Sequence, residues 1–463
     1  MAAGFLQRER IVAPPGWSRW LIPPAALSIH LAIGQAYAWT AFKTALTATV
    51  MAGNPNAGVL TALPFQLAIV MLGLSAAVFG TKVDSNGPRW AMVIASACFV
   101  TGFLISALGV ATGQYWLVVL GYGGVGGIGL GIGYISPVST LIKWFPDRPG
   151  LSTGIAIMGF GGGALIATPL TNQLLAAFGG TAKGAAGAPG VALTFLTMGL
   201  IYLVFMAMGW LLIRVPADGW TPAGWTRPAP GAKVLGSANV SARNAIRTPQ
   251  FWLLWIVLCF NVTAGIGILE RAQDIWKDFF PGTLGAAALT AAAGGFAAML
   301  SLTNSAGRII WSTTSDLVGR KNMYRFYLGV GALLYLTVLL MTNTNRVVFL
   351  ICAMLILSFY GAGFATVPAY LRDLFGTYQV GAIHGRLLTA WSVAGVLGPL
   401  IVNAIADQRI AAGVAGPGRY TTAFVIMIVL LVVGFVANEL IRPVAEKYHE
   451  KTAGPAEKAG AQA

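Results

Sequence analysis

Charge is what this chain has least of: Asp, Glu, Lys and Arg together make up 9% of its 463 residues. A soluble domain carries about 25%, because a water-facing surface has to be covered. That shortage excludes a soluble enzyme, a secreted scaffold and a disordered chain in one step. Acids are the scarcer sign, 14 against 29 bases, and histidine occurs three times. No paired carboxylates, metal cluster or activated nucleophile emerges from the pattern, so neither an enzyme nor a cofactor is expected. Cys98, Cys259 and Cys352 sit singly inside apolar runs. They fit neither a disulfide framework nor a metal site.

What is present is apolar: 57% of the residues are hydrophobic, and 59 more are glycine. A bilayer-spanning helix needs roughly 20 apolar residues at about 1.5 Å rise each. Charge-free stretches predict twelve such helices, near 20–45, 58–81, 90–111, 114–139, 150–175, 191–213, 250–270, 288–315, 324–343, 347–371, 384–406 and 419–440. The expected fold is an all-α membrane protein in the lipid bilayer. The glycine run Gly123–Gly126 falls inside a span with no strand before it, which removes a nucleotide-loop reading.

The placement of the bases carries more information than their sum. With both termini in the cytoplasm, 21 of the 29 Lys and Arg fall on the inner face and seven on the outer face. This bias is the positive-inside pattern. It predicts a multi-pass plasma (inner) membrane protein with cytoplasmic termini. The net charge of +15 is therefore topogenic, and no nucleic-acid partner is expected. The remaining base, Arg308, lies within a span.

The hydrophilic connection at 214–249, which carries Arg227, Lys233, Arg243 and Arg247, divides the chain. An N-terminal six-helix bundle is expected over 1–213 and a C-terminal bundle with a tail over 250–463. The halves repeat at a nearly constant offset. Gly80–Gly87, with Asp84, returns as Ser312–Gly319, with Asp316, at an offset of 232; Pro137, Gly150 and Gly154 return as Pro368, Gly381 and Gly385 at 231. A parallel duplication of six-helix halves is a carrier architecture with its site between the halves near the midplane.

These loops resemble the signature of the major facilitator superfamily, Gly-x-x-x-Asp-Arg-x-Gly-Arg-Arg/Lys. The first copy keeps Gly80, Asp84, Gly87 and Arg89, with Ser85 and Pro88 at two basic positions; the second keeps Asp316, Gly319, Arg320 and Lys321. The resemblance implies a conformational latch, in which each Asp caps a helix end and pairs with bases on the facing half. Within that superfamily, Gly34–Lys43, Lys143–Gly150 and Gly385–Trp391 resemble the oxalate/formate antiporter family, itself similar to the monocarboxylate transporters.

Arg308 is eight residues from Asp316, so roughly 12 Å from that helix end. A permanently charged fork at that depth has to face protein or water, and it matches a carboxylate. Asn304 lies one turn away on the same face, where proton-coupled monocarboxylate transporters commonly have an Asp; Asn cannot titrate. Tyr134 and Tyr360 reach similar depths and offer hydroxyls, while Met158, Phe160 and Trp391 are candidate walls. Oxalate-exchanging relatives place a Lys at the position of Trp391, so a single midplane cation favours a monoanion such as lactate, pyruvate or formate. Lys43, near the outer end of the first helix, reads as a cation for incoming anions or as a snorkelling anchor. His30, roughly 16 Å along that helix from Arg19, is a candidate for proton coupling.

The expected function is alternating-access transport of a small carboxylate by a monomer, by exchange or by symport with a proton. An oxalate/formate-type antiporter is the alternative, and an anion channel is the alternative of another class.

Overall fold

The computed structural model describes residues 2–226, 239–281, 285–341 and 345–450. Arg227 and Lys233, expected in the central connection, lie outside the described residues. Among the described residues the structure is helical, with one isolated bridge between Val12 and Val215.

Ten helices are long and apolar enough to cross a membrane by length and composition. Two further passes complete twelve. The first is Ile22–Ile33 and Trp39–Ala48, separated by a 3-10 turn over Gly34–Ala38. The eighth, Ala286–Val318, runs for 33 residues and holds Asn304 and Arg308 among its apolar residues. Passes two to seven are Leu63–Asn86, Pro88–Ala111, Tyr115–Trp144, Pro149–Ala177, Ala188–Leu212 and Pro249–Glu270. Passes nine to twelve are Arg320–Leu340, Arg346–Phe375, Val380–Ala411 and Thr421–Leu440.

Several helices outrun the spans expected from charge alone. The second continues through Lys82 and Asp84 to Asn86 and stops at Gly87, where φ is 90°. The eighth stops in the same way at Gly319, with φ at 91°. Such left-handed backbone costs little only for glycine, so these caps end the helices, whereas charged residues do not. The glycine-rich stretch Val119–Gly126 of the fourth pass forms a π-helical segment. The connection after the seventh pass holds a short helix, Ala272–Phe279.

Each half packs its own six passes, and the halves meet along two repeat-related seams. The fifth pass lies on the eighth, and the second lies on the eleventh. Glycine permits this approach. A Cβ on Gly154 would stand 2.7 Å from the Arg308 carbonyl oxygen and would crowd Ser312 Oγ. The N-terminal segment and the C-terminal segment lie at the same end of the bundle. Phe5 packs on Trp210 with ring centroids 5.9 Å apart, and Asn244 donates to Glu450 at 3.1 Å. This end, which carries both termini, is the terminal side.

Candidate functional site

At the terminal side the sequence repeat becomes a reciprocal pair of caps. Asp84, closing the second pass, accepts from Ala382 N at 2.8 Å at the start of the eleventh. Asp316, closing the eighth, accepts from Gly150 N and Leu151 N, both at 2.9 Å, at the start of the fifth. A carboxylate at a helix N-terminus meets unsatisfied amides and the positive end of the dipole. The facing half therefore contributes backbone amides, whereas the sequence led us to expect bases. The basic partners come from the same half: Lys143 lies 3.9 Å from Asp84, and Arg320 pairs with Asp316 while also standing 3.4 Å from Asp373.

Two residues expected in this latch do not span the halves. Arg89 donates to the carbonyls of Trp210, Leu211 and Phe5, holding the third pass to the end of the sixth. Lys321 donates to the carbonyls of Glu439 and Ile441, joining the ninth and twelfth passes. Both sit at pass ends whose nearest free carbonyls belong to their own bundle.

Above these caps Arg308 is fully buried, at 0% exposure. Its Nε donates to Asn304 Oδ1 at 3.2 Å, and its Nη1 reaches across the seam to the Ile157 carbonyl at 3.1 Å. Its Nη2 makes no hydrogen bond of good geometry, and the Tyr37 hydroxyl lies against the guanidinium. The guanidinium lies 5.9 Å from the Phe160 ring and 5.4 Å from Phe364, one ring from each half. Among the described residues no carboxylate pairs with it. The anchors fix the fork, and Nη2, with its two N–H groups, remains for a ligand.

The neighbouring rings form a cage. Trp391 stands 5.2 Å from Phe160, 5.4 Å from Tyr134 and 4.5 Å from Phe364. Tyr37 adds its ring 5.2 Å from Phe160, and its hydroxyl is 2.8 Å from that of Tyr360, joining the first and tenth passes over the cage. Tyr134 OH and Trp391 Nε1 are buried without hydrogen-bond partners, as is Arg308 Nη2. Three idle groups gathered in one cage make it a candidate site for a hydrogen-bond acceptor.

The remaining sequence candidates are placed as follows. Met158 is half-buried, one residue beyond the carbonyl that Arg308 Nη1 meets. Lys43 is half-buried in the last segment of the first pass, away from the cage by sequence depth. His30 is buried, with Nδ1 2.6 Å from the Ala156 carbonyl and Nε2 3.1 Å from the Tyr134 carbonyl. Sequence reasoning missed Tyr37, Phe364 and His384. Tyr37 stands inside the Gly34–Lys43 motif, which is the signal that could have found it; Phe364 and His384 carry no signal separable from packing.

At the surface of the terminal side, Arg19 grips both oxygens of Asp147, at 2.6 and 2.9 Å. Burial alone would raise the Asp147 carboxyl, but the Arg19 hydrogen bonds and charge outweigh it and hold the group below the usual carboxylate range.

Comparison with known proteins gives the family. The profile of the Major Facilitator Superfamily matches residues 25–399 and 279–461. The chain is 27% identical to the oxalate:formate antiporter of Oxalobacter formigenes over 433 residues, 92% of each protein. It is 24% identical to apicoplast pyruvate carrier 1 of Toxoplasma gondii over 404 residues, covering 77% of this chain and 70% of that one. Among solved structures, the E. coli fucose:proton symporter superposes with a TM-score of 0.65 at 15% identity, covering 92% of this chain and all 100% of the other. A human organic anion transporter gives 0.64 at 14% identity, with 92% and 100% covered. At those identities the structures speak for the fold alone.

Proposed function

The chain belongs to the major facilitator superfamily, and from that membership we propose that it carries small organic monoanions across the membrane by alternating access. Arg308 binds the carboxylate, the two bundles rock about it, and lactate, pyruvate and formate are the substrates in view. The carrying observation is the buried guanidinium with an idle Nη2 and no acid partner among the described residues. Tyr134 OH and Trp391 Nε1 supply further donors, and Asn304 holds the fork in place. A relative that is a pyruvate carrier supports a monocarboxylate. The excess of bases on the terminal side supports cytoplasmic termini in a plasma (inner) membrane, with the monomer as the working unit.

The second reading is oxalate/formate exchange, favoured by the similarity to an oxalate:formate antiporter across 92% of the chain. Against it stands the cage itself, which surrounds one fixed cation with rings and has Trp391 where a second cation would serve a dianion. A channel is disfavoured by the two capped seams, which seal one side and suit a carrier.

The test is counterflow in proteoliposomes with formate, acetate, lactate, pyruvate and oxalate. Trans-stimulation by a monoanion, lost in Arg308→Gln, is the expected result. Equal transport by the variant sinks the binding role, preference for oxalate over every monoanion sinks the substrate assignment, and flux without trans-stimulation marks a pore.

A further inference from the structure

Trp391 closes the cage, and its indole N–H is not used there. The side chain is fully buried, at 0% exposure, and Nε1 has no hydrogen-bond partner among the described residues. Its ring meets those of Phe364 at 4.5 Å, Phe160 at 5.2 Å, Tyr134 at 5.4 Å and Tyr37 at 6.5 Å between centroids. Two of them, Phe160 and Phe364, also flank the Arg308 guanidinium, at 5.9 and 5.4 Å. The guanidinium and the indole therefore border the same two rings, one from each half. Rings at such centroid distances touch one another, so the space they enclose suits only a short molecule.

The direction of the idle hydrogen bonds narrows that molecule further. A guanidinium nitrogen and an indole nitrogen only donate. Asn304 Oδ1 already accepts from Arg308 Nε at 3.2 Å, and the Tyr37 and Tyr360 hydroxyls, 2.8 Å apart, engage each other. Tyr134 OH is the one idle group of the cage that can either donate or accept. An acid with a plain alkyl chain has acceptors only at its carboxylate. With that carboxylate on Arg308, its chain would lie against Trp391 and leave a buried N–H unsatisfied, which is costly. A 2-oxo acid carries a further oxygen beside the carboxylate, and that oxygen only accepts. A 2-hydroxy acid has the same oxygen but adds an O–H that needs an acceptor of its own.

We infer that Trp391 is the specificity-determining residue of the cage. With the carboxylate on Arg308 Nη2, the Trp391 N–H donates to the 2-oxygen, and the substrates are short 2-oxo acids. Pyruvate belongs to this class, lactate meets it in part, and propionate, acetate and formate lack the third oxygen. This inference rests on the Arg308 reading of the site.

The experiment uses the full-length purified protein in proteoliposomes preloaded with pyruvate, at equal pH on both sides. Uptake of labelled pyruvate is competed with unlabelled pyruvate, lactate and propionate. Propionate matches pyruvate in chain length and replaces the C=O by CH2. Its half-inhibitory concentration should exceed that of pyruvate by about tenfold or more, with lactate between them. Trp391→Phe keeps an aromatic ring and removes the N–H; it should reduce the preference for pyruvate over propionate by about tenfold. Tyr134→Phe should leave most of that preference in place. A residue that only packs would, on replacement, weaken both acids together and leave their ratio as it was.

If propionate competes as well as pyruvate in the wild type, the inference falls and the Arg308 reading stands. The same holds if Trp391→Phe keeps the wild-type ratio, or if Tyr134→Phe alone abolishes it. If pyruvate does not exchange in the wild type, or Arg308→Gln exchanges it normally, the underlying reading fails and takes the inference with it. Should Trp391→Phe not fold, the wild-type ranking of the three acids and the Tyr134→Phe ratio decide alone.

Discussion

The reciprocal caps predict an asymmetry that can be measured. Asp316 accepts from two amides of the facing half, one on each oxygen, whereas Asp84 accepts from Ala382 N on one oxygen, with Gly381 N beside it. A hydrogen bond to a charged group contributes about 1.5–3 kcal/mol and a neutral one about 0.5–1.5, so Asn costs roughly 1–1.5 kcal/mol at an amide its one oxygen still accepts from and about 1.5–3 kcal/mol at an amide left facing its NH2. Asp316 uses both oxygens, so Asp316→Asn weakens one bond and loses the other, and should weaken the closed terminal side by about 2.5–4.5 kcal/mol, a shift of roughly 70- to 2000-fold. Asp84→Asn should cost about 1–1.5 kcal/mol, or roughly 5- to 12-fold. The Asp316–Arg320 pair lies within one half, so it drops out of a difference between states that move the halves as bodies. Both carboxylates are largely buried, 12% and 7% exposed, so solvent screening leaves these magnitudes intact. Spin labels at Ser85 and Leu317, one exposed site on each half, would report the separation of the terminal ends by pulsed dipolar spectroscopy. The long-distance population should rise in both variants and more in Asp316→Asn. An unchanged distribution in Asp316→Asn, or a larger effect in Asp84→Asn, refutes the cap reasoning.

Three further outcomes follow from the same contacts. Asn304→Asp places a carboxylate where Oδ1 now meets Arg308 Nε at 3.2 Å; an internal counter-ion should lower pyruvate affinity by about tenfold or more, whereas Asn304→Ala should cost only a few-fold, both read by binding titration. Gly154→Val drives a side chain into Ser312 and the Arg308 backbone, so it should hold the terminal seam open and abolish counterflow while the protein remains monodisperse in size-exclusion chromatography. The Arg19–Asp147 pair should make stability pH-dependent with a defined sign: because the folded Asp147 carboxyl sits below its ordinary range, its contribution is full above about pH 4 and is lost as pH falls through the depressed value. Thermal melts should show Asp147→Asn with a shallower acid loss than the wild type.

Much of the molecule was legible because bilayer physics writes itself into composition. Twelve passes, two halves and the special status of Arg308 followed from charge-free lengths, a repeat offset and the cost of a cation in hydrocarbon. Depth arithmetic also selected Tyr134, Tyr360 and Asn304, because residues at one height in different helices share a layer. It did not find Tyr37 as a partner of Tyr360, because a 3-10 turn over Gly34–Ala38 resets the helical phase there. The loop signature, for its part, placed Arg89 and Lys321 in the latch, while their partners here are backbone carbonyls of their own half, which leave no mark in a sequence motif.

The sequence by itself determined that this chain lives in a membrane, that it is a doubled six-helix unit, and that one permanent cation is stranded in its interior. The first and last follow from how few charges there are and how far apart they fall, and the second from a motif that returns at a constant offset. Tertiary structure decided what the repeat is for. Asp84 and Asp316 are only acids near turns until the fold sets each against a helix N-terminus of the other half. Likewise His30 is a lone histidine in one helix until two carbonyls from two other helices close on its ring, because hydrogen-bond direction exists only once three passes are packed together.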